Sequence, residues 1–174
     1  MFNDLIWKRR SCRQFTDEPV AEELVDTLVD TALLAPTSRN LEPCRFVVIT
    51  DKKIMAELAQ AKPHGAAFLK GAPLGIAVCA DPTVSDVWVE DASIASIYLH
   101  LAAMDLGLGS CWVQIRKRMY GDNVTAEERV SEILGLDPGL KVEAIIGIGH
   151  PAKERAPRTR DTLDVSKVSY KRGA

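Results

Sequence analysis

The chain has 174 residues, 47% hydrophobic and 26% charged, with a formal net charge of −2. It is long and apolar enough for one packed core of an ordinary soluble protein. The near-neutral balance excludes a general attraction to nucleic acid or anionic membrane, so any basic cluster must act locally.

The opening MFNDLIWKRR places an acidic residue and a short apolar stretch before its basic residues, the reverse of a secretory signal. No apolar run approaches the length of a bilayer span, and a cytoplasmic protein is expected. From Val20 to Leu34, apolar residues at Leu24, Val25, Leu28, Val29, Ala32 and Leu33 recur at helical spacing, and Pro36 closes the helix. RFVVIT (45–50) is a β-branched run that suits a buried strand, and KKIMAELAQ after it suits a helix. GIAVCAD (75–81) repeats the strand signature.

A long helix is predicted over 85–106, with small residues such as Ala92, Ala95, Ser96 and Ala103 along a face that permits close packing. GSCWVQI (109–115) reads as a strand. Thr125 and Glu128 form a capping box for a helix reaching Leu134 before Gly135, and KVEAIIGIG supplies the last core strand. Four strands separated by helices predict an α+β protein with α/β layering, its sheet flanked by helices. Residues 1–151 are expected to form the core and 152–174 a polar, basic C-terminal arm.

Four cysteines, at 12, 44, 79 and 111, lie far apart without a CxxC, and His64, His100 and His150 have no ligand-like spacing. Reduced thiols are expected, with no metal centre. GLGLGSC follows a predicted helix rather than a strand and lacks the third glycine of a dinucleotide loop. No Walker A, HExxH or GxSxG sequence is present, so phosphoryl transfer, zinc proteolysis and serine hydrolysis lack local support. His100 is expected to pack or cap within its helix rather than act as a base.

Two segments carry candidate anion chemistry. RRSCRQF sets Arg9, Arg10 and Arg13 around the hydroxyl of Ser11; if the segment is extended, Ser11 and Arg13 share a side. Guanidinium forks and a hydroxyl suit a phosphate, and a solvated charge run is the alternative reading. PTSRNLEPCR (36–45) puts the donors and acceptors of Ser38 and Asn40 just past a helix end. They suit the edge of a heterocycle, or else an ordinary proline-bounded loop.

Taken in order, these segments resemble the FMN-dependent nitroreductase family over nearly the whole chain. RRSCRQF resembles its RRSxRxF motif, and APTSRNLEPCRFVVI its APSxxNxQPWxF segment; LGLGSCWV, IIGIGHP and the terminal RTR follow in the family's order. The resemblance implies a central mixed sheet in an intertwined homodimer. It places Arg9, Arg10, Ser11 and Arg13 on the FMN phosphate and ribityl chain, with Arg158 and Arg160 closing from the arm. Pro36, Thr37, Ser38 and Asn40 would approach the flavin from the partner subunit, with Ser110, Cys111 and Trp112 on the other side of the ring. The arm would pack on the neighbouring subunit.

By the same resemblance the chain is an oxidoreductase in which NADH or NADPH delivers hydride to flavin N5 and a nitroaromatic, quinone or similar acceptor takes the electrons, in a ping-pong cycle. No side-chain base is required. An enone or halogenated-aromatic reductase, and a flavin-binding sensor or storage protein with little turnover, are the alternatives. Glu42 and Cys44 stand where the family carries Gln and Trp, a change expected to add negative charge and open space beside the cofactor. The mid-chain asparagine that some larger members of the family use to contact the ring has no match near KPHGAAF.

Overall fold

A computed structural model describes residues 1–173; Ala174, the last residue of the expected arm, lies outside them. Five helices and four strands follow in the order α1 (Phe2–Lys8), α2 (Glu22–Leu33), β1 (Cys44–Ile49), α3 (Lys52–Leu58), β2 (Leu74–Ala80), α4 (Trp88–Asp105), β3 (Gly109–Gln114), α5 (Ala126–Leu134) and β4 (Lys141–Gly149). Every predicted element is present. Helix α1 is additional, and none of its residues is buried, so it lacks the deep apolar stripe by which sequence reveals a helix.

The sheet runs in the order β1-β2-β4-β3, and each neighbouring pair is antiparallel. Its topology explains why strands spaced by helices do not form a parallel sheet. β2 and β3 do run the same way, joined across α4, but β4 inserts between them and is antiparallel to both. Among the described residues, the mixed character expected of the sheet enters only through an isolated parallel bridge between Ser11 and Ser110.

Helices cover both faces of the sheet. On one, Leu28 and Ala32 of α2 and Ala92, Leu99 and Ala103 of α4 pack on Leu74, Ile76, Val78, Ile146 and Ile148. The small side chains predicted along α4 allow this close approach. On the other face, α3, α5 and a 3-10 turn at Ala67–Gly71 enclose Ala77, Cys79, Val113, Val142 and Ile145. Burial on both sides makes β2 and β4 nearly all apolar, and each fully buried Leu or Ile contributes about 1.5–3 kcal/mol.

Local signals set the element ends. The Thr125 hydroxyl accepts the Glu128 N–H at 3.1 Å while the Glu128 carboxylate accepts the Thr125 N–H at 2.7 Å, and Gly135 closes α5 in the left-handed conformation. Residues 152–173 are exposed. The arm leans on the body through Ala152 N–H to Gln14 O, Arg10 Nη1 to Ala156 O (2.9 Å) and Arg158 N–H to Trp7 O (2.9 Å). From Thr159 onward its hydrogen bonds are local among the described residues.

Candidate functional site

One outer edge of the sheet, β3, leaves main-chain groups without a strand partner. β3 pairs only with β4, and on its other side the Cys12 N–H donates to the Ser110 carbonyl at 2.9 Å. Since amides alternate direction along a strand, Ser110, Trp112 and Gln114 present their main-chain groups away from β4. The Ile115 N–H fits this phase, donating to Glu143 O on β4. Beyond Ser110, then, Trp112 and Gln114 hold amides toward an open side.

The N-terminal segment delivers cations to this edge. Bridges at Ser11 and Phe15 hold it extended, as the shared side of Ser11 and Arg13 requires. Burial raises the pKa of the Cys111 thiol, and Arg13, the Ser11 hydroxyl and Arg9 oppose that rise by favouring the thiolate. Arg10 points elsewhere: its guanidinium braces the arm at Ala156. Arg158, bonded by its main chain to Trp7, lies beside the same segment, with Arg160 in the 3-10 turn that follows. The arm's backbone at Arg158, distant in sequence, therefore runs beside the start of this segment within one chain.

Two further side chains belong here. Lys62 Nζ donates to the Gln114 carbonyl at 2.8 Å, placing a partly buried cation at the far end of the edge. Burial, then Arg118, lowers its pKa. Its region was the one without a family match, and no local pattern marks it. Gln114 was legible, since it shares the alternation of Ser110 and Trp112. His100 packs, as expected, but not by capping its own helix: Nδ1 lies 2.7 Å from Ser110 Oγ.

Burial, and secondarily the charge of Arg9, brings the His100 pKa down to about 4 from an ordinary 6.5. The folded chain thus refuses a proton that the unfolded chain accepts between those values, so stability is full above the ordinary value and falls as pH drops through the window. His100→Gln should lose less stability on acidification, by about 2 kcal/mol at pH 5 on this single-site reckoning. Urea unfolding of both proteins at pH 7 and pH 5 measures the difference, and equal losses would refute the assignment.

The loop of Pro36, Thr37, Ser38 and Asn40 does not reach this edge. The Ser38 N–H donates at 2.7 Å to buried Asp91 in the first turn of α4, Asp91 also accepts from Ser85 Oγ at 2.8 Å, and Arg39 pairs with Asp86. Asp91 and His100 are separated by roughly 14 Å along the helix axis at 1.5 Å per residue. Arg39, Asn40 and Glu42 hold positive φ angles of 52°, 55° and 51°, a costly backbone for non-glycine residues that collects at functional sites. The Thr37 hydroxyl accepts the Glu42 N–H, and the Asn40 amide donates to the Glu42 carboxylate, restraining the turn.

Cys44 lines a hollow of about 110 Å³ with Thr37, Glu42, Arg45 and Phe46. Burial, then Asp91, pushes its thiol up to about 11, so it stays protonated and unreactive. All four cysteines are free. No cluster of metal-ligating side chains occurs among the described residues, and none of their helices is long and apolar enough to cross a membrane.

An open row of amides flanked by Arg9, Ser11 and Arg13 at one end and Lys62 at the other fits a long, phosphate-tailed ligand with hydrogen-bonding ring edges, as FMN is. Comparison with known proteins agrees. The profile described as "Nitroreductase family" matches residues 6–65 and 59–150. An Archaeoglobus fulgidus protein described as a candidate NADH dehydrogenase/NAD(P)H nitroreductase is 33% identical across 87% of this chain and 86% of its own. A Thermus thermophilus NADH dehydrogenase is 28% identical across 90% of each. The solved structure of an FMN-dependent nitroreductase from Clostridium difficile R20291 superposes with a TM-score of 0.94 at 42% identity, covering 97% of this chain and 98% of that one. Coverage that high extends the likeness past the core into the arm.

Proposed function

The chain belongs to the nitroreductase family, and from that premise we propose that the β3 edge binds FMN at a seam between two copies. It is an FMN-dependent NAD(P)H oxidoreductase. When bound, FMN would supply two-electron redox chemistry between NAD(P)H and a nitroaromatic, quinone or similar acceptor, in a ping-pong cycle.

The residues supply binding, position and electrostatics. Arg9, Ser11 and Arg13, joined by Arg158 and Arg160, neutralise the phosphate through charge-assisted hydrogen bonds. Arg10 contributes indirectly by holding the arm against this segment. Main-chain amides of Trp112 and Gln114 meet the ring's acceptor atoms and favour negative charge developing there, and Lys62 adds a cation at the same end. Ser110 and Cys111 line the strand beneath. The observation that carries this reading is the docking of the 9–13 segment against the β3 edge, with the arm held beside that segment at Trp7 and Arg10.

A second copy completes the site. Within one chain the Pro36–Asn40 loop sits at the other end of α4, so Pro36, Thr37, Ser38 and Asn40 would reach a ring on the β3 edge from a neighbour. The surface suits such a partner: Phe2, Leu5, Tyr98, Leu101 and Leu106 line a groove of about 630 Å³. Leu163, Val165, Val168 and Tyr170 on the arm are exposed, and the arm is proposed to pack across that seam.

Purified protein should be yellow, release FMN on denaturation and sediment at twice the chain mass. Anaerobic NAD(P)H should bleach it, and a quinone or nitroaromatic should restore the colour. Bleaching without acceptor-dependent recovery would instead indicate a flavin sensor or storage protein, and colourless protein that takes up no FMN would refute the reading.

A further inference from the structure

Glu143 stands at the irregularity of the sheet. Val78 pairs with Ala144 and Cys79 with Val142, so Glu143 is skipped and bulges from β4. The residue is only 5% exposed, and its Oε2 has no hydrogen-bond partner. Arg116 Nε faces that oxygen from 3.8 Å, beyond hydrogen-bonding reach. An incompletely paired buried carboxylate costs stability, and bulges gather beside active sites, so its placement asks for a role.

Its bonds lead to the open edge. The Glu143 carbonyl accepts the Ile115 N–H at 3.2 Å and the Arg116 N–H at 3.1 Å, ending the ladder where β3 finishes. Oε1 faces Gln114 Nε2 at 3.4 Å, and that amide also donates to the Arg116 carbonyl at 3.0 Å. Gln114 Oε1 accepts the Trp112 indole N–H at 3.0 Å. Both residues whose main chain forms the open row are thereby tied to one carboxyl, a strand behind it.

We propose that Glu143 is a positioning residue of the flavin site, fixing Gln114 and Trp112 through its side chain and setting the potential of the bound ring by its charge. The inference rests on the FMN reading above. Burial raises the Glu143 pKa most; the Gln114 hydrogen bond and Arg116 oppose this, while Glu127 on α5 and Glu90 on α4 add to it. The carboxyl therefore ionises above the ordinary carboxylate range. Because its negative charge opposes adding electrons nearby, the flavin midpoint potential should fall as Glu143 ionises.

The test is the midpoint potential of bound FMN against pH for the wild type, Glu143→Gln and Gln114→Met. Glu143→Gln should converge with the wild type on the acid side, lie above it on the alkaline side, and lack the bend between. Gln114→Met, which removes a bond that favours the ionised form, should move that bend to higher pH. Coincident wild-type and Glu143→Gln curves would overturn the inference; if Glu143→Gln does not fold, an unmoved bend in Gln114→Met overturns it alone. Protein that takes up no FMN removes the underlying reading, whereas loaded protein with coincident curves removes only this inference.

Discussion

Arg9→Ala should raise the dissociation constant for FMN roughly 10- to 100-fold, the cost of losing one charge-assisted hydrogen bond to a phosphate. Arg9 caps the end of α1, immediately before the extended run that bridges β3, so its backbone is held from both sides. The side chain is therefore presented to the anion at little entropic cost. Arg9→Lys should keep part of the affinity, because the charge remains and only the planar fork is lost. Fluorescence titration of FMN into apoprotein reads both variants. Wild-type affinity in Arg9→Ala would remove the phosphate from this end of β3.

A methyl group at Gly109 should damage stability and cofactor binding together. A Cβ there would stand 2.7 Å from Cys12 Cβ and 2.8 Å from its Sγ, closer than packed carbon atoms approach. Cys12 is anchored by its own N–H to Ser110, so relief requires the 9–13 segment to lift from the strand. Gly109→Ala should cost about 1–3 kcal/mol in denaturant unfolding, as overpacked sites do. It should also weaken FMN binding, because Arg9 and Arg13 move with the segment. Gly121→Ala, where an added methyl meets open space, is the control. Unfolding and binding curves that match wild type at Gly109→Ala would refute this packing.

Elements whose signals are local were legible in sequence. The Thr125–Glu128 box and Gly135 bound α5 within one residue because both ends are satisfied by their own side chains and backbone. The apolar runs of β2 and β4 mark buried strands because both faces of the sheet are covered. Strand order was not legible, since the place of β4 between β2 and β3 rests on pairing between segments far apart in sequence.

The site divides the same way. Arg9, Ser11 and Arg13 form a local pattern, and their alternation was readable once the segment was taken as extended. Lys62 and Glu143 come beside the proposed site through tertiary placement, one by reaching the Gln114 carbonyl and the other by bulging behind it. Neither has a neighbour in sequence that announces it. Glu42 and Cys44, read as departures from a family pattern, prove to line one small hollow, Glu42 from a restrained turn and Cys44 from the start of β1.

The unpaired margin of β3 is also a hazard for newly made chains. Bare strand borders template pairing with other polypeptides, and here the covering proposed above is FMN together with a neighbour's loop. Cells short of riboflavin should accumulate this protein in inclusion bodies, while vitamin supplementation should shift it to the soluble fraction by shielding that border.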